Sequence, residues 1–93
     1  MTNGEPIRRR VMLAHCNGLH LTPIGAIVKA TSGFDAEVKI NFDGKVAHTR
    51  SAMELMLLGA TLGAELTLES FGTDAESALQ AVADILETDP THA

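Results

Sequence analysis

The chain has 93 residues, of which 45% are hydrophobic and 20% charged. That length holds one domain, because two separate cores would each be too small, and the balance argues against disorder. A formal charge of −5 and a lack of Tyr and Trp argue against binding to nucleic acid or to an anionic membrane surface. The single cysteine, Cys16, cannot form an internal disulfide framework or a cysteine-rich zinc site, and it points to a reducing, cytoplasmic setting. Cys16 with His15, His20 and His48 gives no chelating spacing, so no metal is expected, and no nucleotide loop or other cofactor motif is present.

Residues 1–6 read as a frayed polar tail. Arg8, Arg9 and Arg10 imitate the start of a signal peptide, but the apolar stretch after them is short and broken by His15, Cys16 and Asn17. No run approaches the roughly 18 apolar residues of a membrane span. Residues 7–14 read as a strand, followed by a polar loop containing Gly18. A helix is predicted over 22–32. Thr22-Pro23 is its start signal, Ile24, Ile27, Val28 and Thr31 fall on one face, and Gly33 is its stop. Residues 36–42 alternate, with Ala36, Val38, Ile40 and Phe42 on one side and Glu37, Lys39 and Asn41 on the other. Asp43-Gly44 then makes a two-residue hairpin turn into a return strand at 45–49, with Val46 expected on the buried side. Ser51 to Glu54 matches a capping box for a helix over 52–58 that stops at Gly59. After a turn at Gly63, residues 64–71 alternate again. Thr73 to Glu76 matches a second capping box, and Ala75, Ala78, Leu79, Val82, Ile85 and Leu86 hold one helical face to about residue 87. A second frayed tail is expected at 89–93.

The order is βαββαβα. One-faced strands need helices over that face, so an α+β open-faced β-sandwich is expected: a four-stranded antiparallel sheet with three helices on one face. The order contains the βαββαβ of the ferredoxin-like group plus a C-terminal helix. One domain is expected over 1–93, with its core at about 7–88.

Three places carry candidate chemistry. His20 lies just ahead of a helix, where unpaired backbone N–H groups and the positive dipole end favour an anion. An imidazole nitrogen there can act as a nucleophile, although the residues alone favour a capping or loop histidine. Ser51 is explained by its cap alone. Met53, Met56, Leu57 and Leu58 are too dense for all to be buried on so short a helix, and Met suits an adaptable docking surface.

Two motifs give these places a common reading. Gly18-Leu19-His20-Leu21-Thr22-Pro23 and Arg50-Ser51-Ala52-Met53-Glu54-Leu55-Met56-Leu57-Leu58-Gly59 occur in order and at ungapped spacing, with Gly63-Ala64-Glu65 in register behind them. In these the chain resembles the histidine-containing phosphocarrier protein (HPr) family of the bacterial phosphoenolpyruvate-dependent phosphotransferase system, over about residues 7–88. The resemblance implies phosphorylation of His20, through its δ nitrogen, by phosphorylated enzyme I. It further implies onward transfer to EIIA-type, sugar-specific acceptor proteins by a cytoplasmic, monomeric carrier with no turnover chemistry of its own.

By matched position, phosphate contacts fall to Leu21, Thr22 and Arg50. The partner face includes Thr22, Gly25, Lys29, Ala52, Met53 and Met56, and Ser51 becomes the target of a dedicated HPr kinase/phosphorylase. The pattern departs from the family at Thr22, where the family has an arginine that steadies the phosphoryl group. Thr22 could bond a phosphoryl oxygen or serve only as the N-cap, and Arg50 is the cation expected to compensate. The departure keeps two further readings open. One is a regulatory adapter that signals through phosphorylated Ser51, and the other is a module that binds a partner through the Met-rich face alone.

Overall fold

The computed structural model describes residues 5–88. Of the tails expected at 1–6 and 89–93, residues 1–4 and 89–93 lie outside the described residues. In chain order the elements are β1 (Ile7–Met12), α1 (Leu21–Ser32), β2 (Glu37–Phe42), β3 (Lys45–His48), α2 (Ala52–Leu57), β4 (Glu65–Phe71) and α3 (Ala75–Glu87). The strands form one antiparallel sheet in the order β1-β4-β2-β3, so the first and last strands are neighbours. This is the open-faced α+β sandwich that the alternation and helix periodicity predict.

A single apolar layer fills the space between sheet and helices. Val11, Val38, Ile40, Ala47, Leu66 and Leu68 come from the strands, while Ile24, Ile27, Leu55, Val82 and Leu86 come from the helices, all buried. Burying a side chain of Val, Leu or Ile size contributes about 1.5–3 kcal/mol, which makes this layer the main source of stability. The opposite face of the sheet is wet and carries ion pairs between strands. Arg8 Nε donates to Glu69 Oε2 at 2.6 Å, and Arg10 Nη1 to Glu65 Oε2 at 3.2 Å. Alternation sends Arg9 to the other side, where its Nη1 donates to Gln80 Oε1 of α3 at 2.9 Å. The triple-Arg run is thus divided between two faces by the pleat.

Several local expectations are corrected. Val46 is half exposed and Ala47 is the buried residue of β3. The two-residue turn pairs Phe42 with Lys45, Asn41 with Val46 and Ile40 with Ala47. Directly paired residues share a face, so buried Ile40 takes Ala47 inward and Val46 follows Asn41 outward. The first strand ends at Met12 instead of residue 14. Leu13 still donates to Ala64 O at 2.9 Å, but the Ala14 amide turns to Leu86 O of α3 at 2.9 Å.

Neither capping box is complete. Ser51 Oγ accepts from the Glu54 amide at 3.3 Å, as expected. The Glu54 carboxylate, however, accepts from the His48 amide and from His48 Nδ1, each at 2.8 Å, because the end of β3 offers two donors there. The N-cap of α3 is Asp74, not Thr73, and its side chain bonds away from the helix. Its Oδ2 accepts from the Asp35 amide at 2.7 Å while its own amide donates to Asp35 O at 2.9 Å. This reciprocal clasp ties the start of α3 to the chain entering β2.

The corrected register has a direct test by urea unfolding. Val46→Ala should change stability by no more than about 0.5 kcal/mol, as for a surface site. Leu68→Ala should cost about 2–5 kcal/mol, as for a filled core position.

Candidate functional site

His20 is the N-cap of α1 and is half-buried. Its carbonyl accepts the first helical bond, from the Ile24 amide at 3.1 Å, and its own amide donates to Gly18 O at 3.0 Å. Its imidazole makes no capping hydrogen bond, so the ring is not committed to the helix end. The first turn that follows contains no acidic residue. Its amides at Leu21 and Thr22 have no intrahelical acceptor, and the positive end of the helix dipole is uncompensated there. Pro23 costs nothing in this turn, because its missing N–H would have no helical partner.

The loop ahead of His20 is held by close backbone approach. Leu19 donates to Ala60 O at 3.0 Å, and Gly18 donates to His15 O at 2.9 Å. Gly18 has φ +73°, and a Cβ there would lie 2.6 Å from Ala60 O. Only glycine allows both the left-handed backbone and the contact. The 59–61 segment that follows α2 therefore fixes where His20 enters α1.

Thr22 is exposed and is the second residue of α1, so it is not the N-cap. Arg50 lies elsewhere. Its Nη2 donates to Thr31 O at 3.3 Å, Phe34 O at 2.9 Å and Ala36 O at 3.0 Å. Thr31 is in the last turn of α1, on the order of 15 Å along the helix axis from His20. The expectation that Arg50 joins His20 and Thr22 at a phosphate is therefore corrected. Its guanidinium satisfies carbonyls at the negative end of the helix, where Lys29 also lies.

Ser51 caps α2 and is half-buried. Next to it, Glu54 is held by His48, whose Nε2 lies 3.6 Å from Glu37 Oε2. The hydrogen bond from the His48 backbone, then that from its side chain, pulls the Glu54 carboxyl below its ordinary range.

Both helices leave part of their surface exposed. Thr22, Gly25 and Lys29 lie on the solvent side of α1, opposite buried Ile24, Ile27 and Thr31. Ala52 and Met53 are exposed at the start of α2, followed by Met56. Leu55 and Leu58 take the core positions, which leaves Met53, Met56 and Leu57 outside at helical spacing. Leu21 and Leu62 add exposed apolar surface next to the Leu19–Ala60 contact. Leu62 escaped the sequence reading because it belongs to no periodic apolar face, and Leu21 entered that reading only as a phosphate contact. Among the described residues, no group of three or more His, Cys, Asp or Glu could hold a metal ion, and no helix is long and apolar enough to cross a membrane.

The molecule is thus a small open-faced βαββαβα sandwich that sets a half-buried histidine at a helix start, with exposed apolar side chains on α1 and α2. Comparison with known proteins gives the family. Residues 7–88 match the model for the HPr component of the phosphotransferase system (PTS), described as "PTS HPr component phosphorylation site", and the chain belongs to this family of phosphocarrier proteins. It is 32% identical over 77 residues to the phosphocarrier protein HPr of Chlamydia muridarum (strain MoPn / Nigg), covering 83% of this chain and 74% of that protein. The crystal structure of HPr from Bacillus anthracis str. Ames superposes with a TM-score of 0.83 at 33% identity, covering 87% of this chain and 96% of that one. Crh, a catabolite repression protein of Bacillus subtilis crystallised as a domain-swapped dimer, matches at a TM-score of 0.70 and 30% identity, over 86% of this chain and 92% of that one.

Two substitutions probe this geometry. Gly18→Ala should cost about 1–3 kcal/mol or more, read from urea midpoints, because it combines a strained φ with a backbone clash. For Glu54 the folded carboxyl pKa is depressed, so its stabilisation is present above the ordinary carboxylate pKa and is lost as pH falls through the folded value. The stability gap between wild type and Glu54→Gln should therefore close on moving from pH 7 to pH 3.

Proposed function

We propose that His20 accepts a phosphoryl group from phosphorylated enzyme I and passes it to EIIA-type, sugar-specific acceptor proteins in the cytoplasm. The observation that carries this reading is the placement of an imidazole with no capping role at the start of α1, ahead of a first turn without carboxylates. An unprotonated ring nitrogen attacks phosphorus. The new N–P bond forms as the donor's bond to phosphorus breaks, and the reverse exchange delivers the group to the acceptor. Donors already in place at the helix start stabilise the arriving oxygens without reorganisation. In this chain those donors are the amides of Leu21 and Thr22 and the Thr22 hydroxyl. The exposed surface of Gly25, Lys29, Ala52, Met53 and Met56 meets both partners in turn. Such exchange favours a modest, short-lived interface, and the chain acts as a monomeric substrate of other enzymes.

Incubation with enzyme I, phosphoenolpyruvate and Mg²⁺ should add about 80 Da, the mass of one phosphate, in an acid-labile form. His20→Ala should abolish the adduct. No adduct on wild type, with an enzyme I that phosphorylates another HPr, would sink the carrier role.

Thr22 brings no charge to a place where the family has arginine. Restoring one charge-assisted contact is worth about 1–3 kcal/mol, and each 1.4 kcal/mol in the transition state is a factor of about ten. Thr22→Arg should accordingly speed transfer by about ten- to a hundredfold. Arg50→Ala should leave the transfer rate unchanged while costing about 1–2 kcal/mol of stability, because its carbonyl contacts are lost.

The same missing charge favours a second reading, in which the chain is a regulatory adapter signalling through Ser51. The likeness to Crh, whose name records catabolite repression, supports it. An HPr kinase/phosphorylase would then place an acid-stable phosphate on Ser51 while enzyme I leaves His20 unmodified. An acid-labile adduct formed at a normal rate would exclude this reading.

A further inference from the structure

His15 is buried, five residues before His20, and the carrier mechanism above gives it no task. It is nevertheless fixed at several points. Its Nε2 lies 2.6 Å from Ile85 O. A carbonyl only accepts, so Nε2 carries a proton and donates it to the last turn of α3. Carbonyls in that turn have no helical donor, and the neighbouring one, Leu86 O, takes the Ala14 amide at 2.9 Å. The His15 carbonyl in turn accepts from the Gly18 amide at 2.9 Å. Finally, its ring meets that of His20 edge-to-face, with centroids 6.2 Å apart and planes at 71°. That separation lies within the range of favourable aromatic pairs.

These contacts run in one line from the end of α3, through a buried ring, to the ring of the phosphoacceptor. His20 itself has no side-chain capping bond to orient it. We infer that His15 is a positioning residue: anchored by Ile85 O, its ring holds the His20 imidazole in the attitude from which its nitrogen meets phosphorus. This rests on His20 being the phosphoacceptor. It also gives a task to a histidine that has no place in the two motifs of the family resemblance. Orientation matters because small misplacements of a reacting group carry large rate costs.

The test separates ring from hydrogen bond in the full-length chain. His15→Gln keeps an amide donor for Ile85 O but removes the ring. His15→Phe keeps the ring but removes the donor, and His15→Ala removes both. For each, kcat and KM of the carrier with enzyme I are measured alongside the melting temperature. Positioning requires the rate to follow the ring. His15→Gln and His15→Ala should then lose about ten- to a hundredfold in kcat at an unchanged KM, while His15→Phe stays close to wild type although it melts lower. A wild-type kcat in His15→Ala overturns the inference. So does a kcat that tracks melting temperature across the three variants, since His15 would then be purely structural. If wild type takes no phosphoryl group at all, the carrier reading fails instead. The His20 side-chain couplings measured by NMR still decide the inference in that case: a single rotamer in wild type that averages in His15→Gln upholds it, and identical couplings in both overturn it.

Discussion

The molecule depends on one apolar layer that only one face of the sheet can supply. Val38 and Ile40 of β2 and Leu66 and Leu68 of β4 form its centre, and every helix contributes side chains from above. Because β4 lies between β1 and β2, the central strands are tied together only through contacts distant in sequence. Their burial outweighs the loss of chain freedom, while the ion pairs on the wet face add little. All three helices are confined to one side as a consequence. That places the N-terminus of α1, the 59–61 segment after α2 and the C-terminus of α3 near the same end of the sheet.

The end of the molecule that holds His20 is made by backbone rather than by charge. Gly18 approaches Ala60 too closely for any side chain, and the Ile85 and Leu86 carbonyls of α3 take donors from residues 15 and 14. These contacts set the entry angle of α1 and so the position of its first-turn amides. Rigid amides around a reacting group stabilise charge without rearrangement, which suits a carrier that must take and release the same group.

Cations occupy the other end of α1. Arg50 bonds the carbonyls of Thr31, Phe34 and Ala36, and Lys29 lies in the last helical turn. Both complement the negative end of the dipole there. The positive end is left to the first-turn amides. The cations Arg50 and Lys29 thus serve the C-terminal end of α1, and the first turn after His20 contains no acidic residue.

Periodicity and turn chemistry are enough to establish the order of elements and the one-sided core, while the two motifs that contain His20 and Ser51 gain their meaning from the family resemblance. Alternation in 36–42 and 64–71 and the Asp43-Gly44 turn are local properties, and short-range sterics act the same way wherever such segments occur. Some features needed the packed chain. Val46 faces out because its partner Asn41 does, and Glu54 turns to His48 because β3 ends beside it. Asp74 clasps Asp35 instead of capping its own helix. Arg50, next to Ser51 in sequence, reaches the far end of α1, while His15 meets α3 and the His20 ring. Each of these depends on which donor or acceptor the fold brings within about 3 Å, and spacing along the chain does not contain that distance.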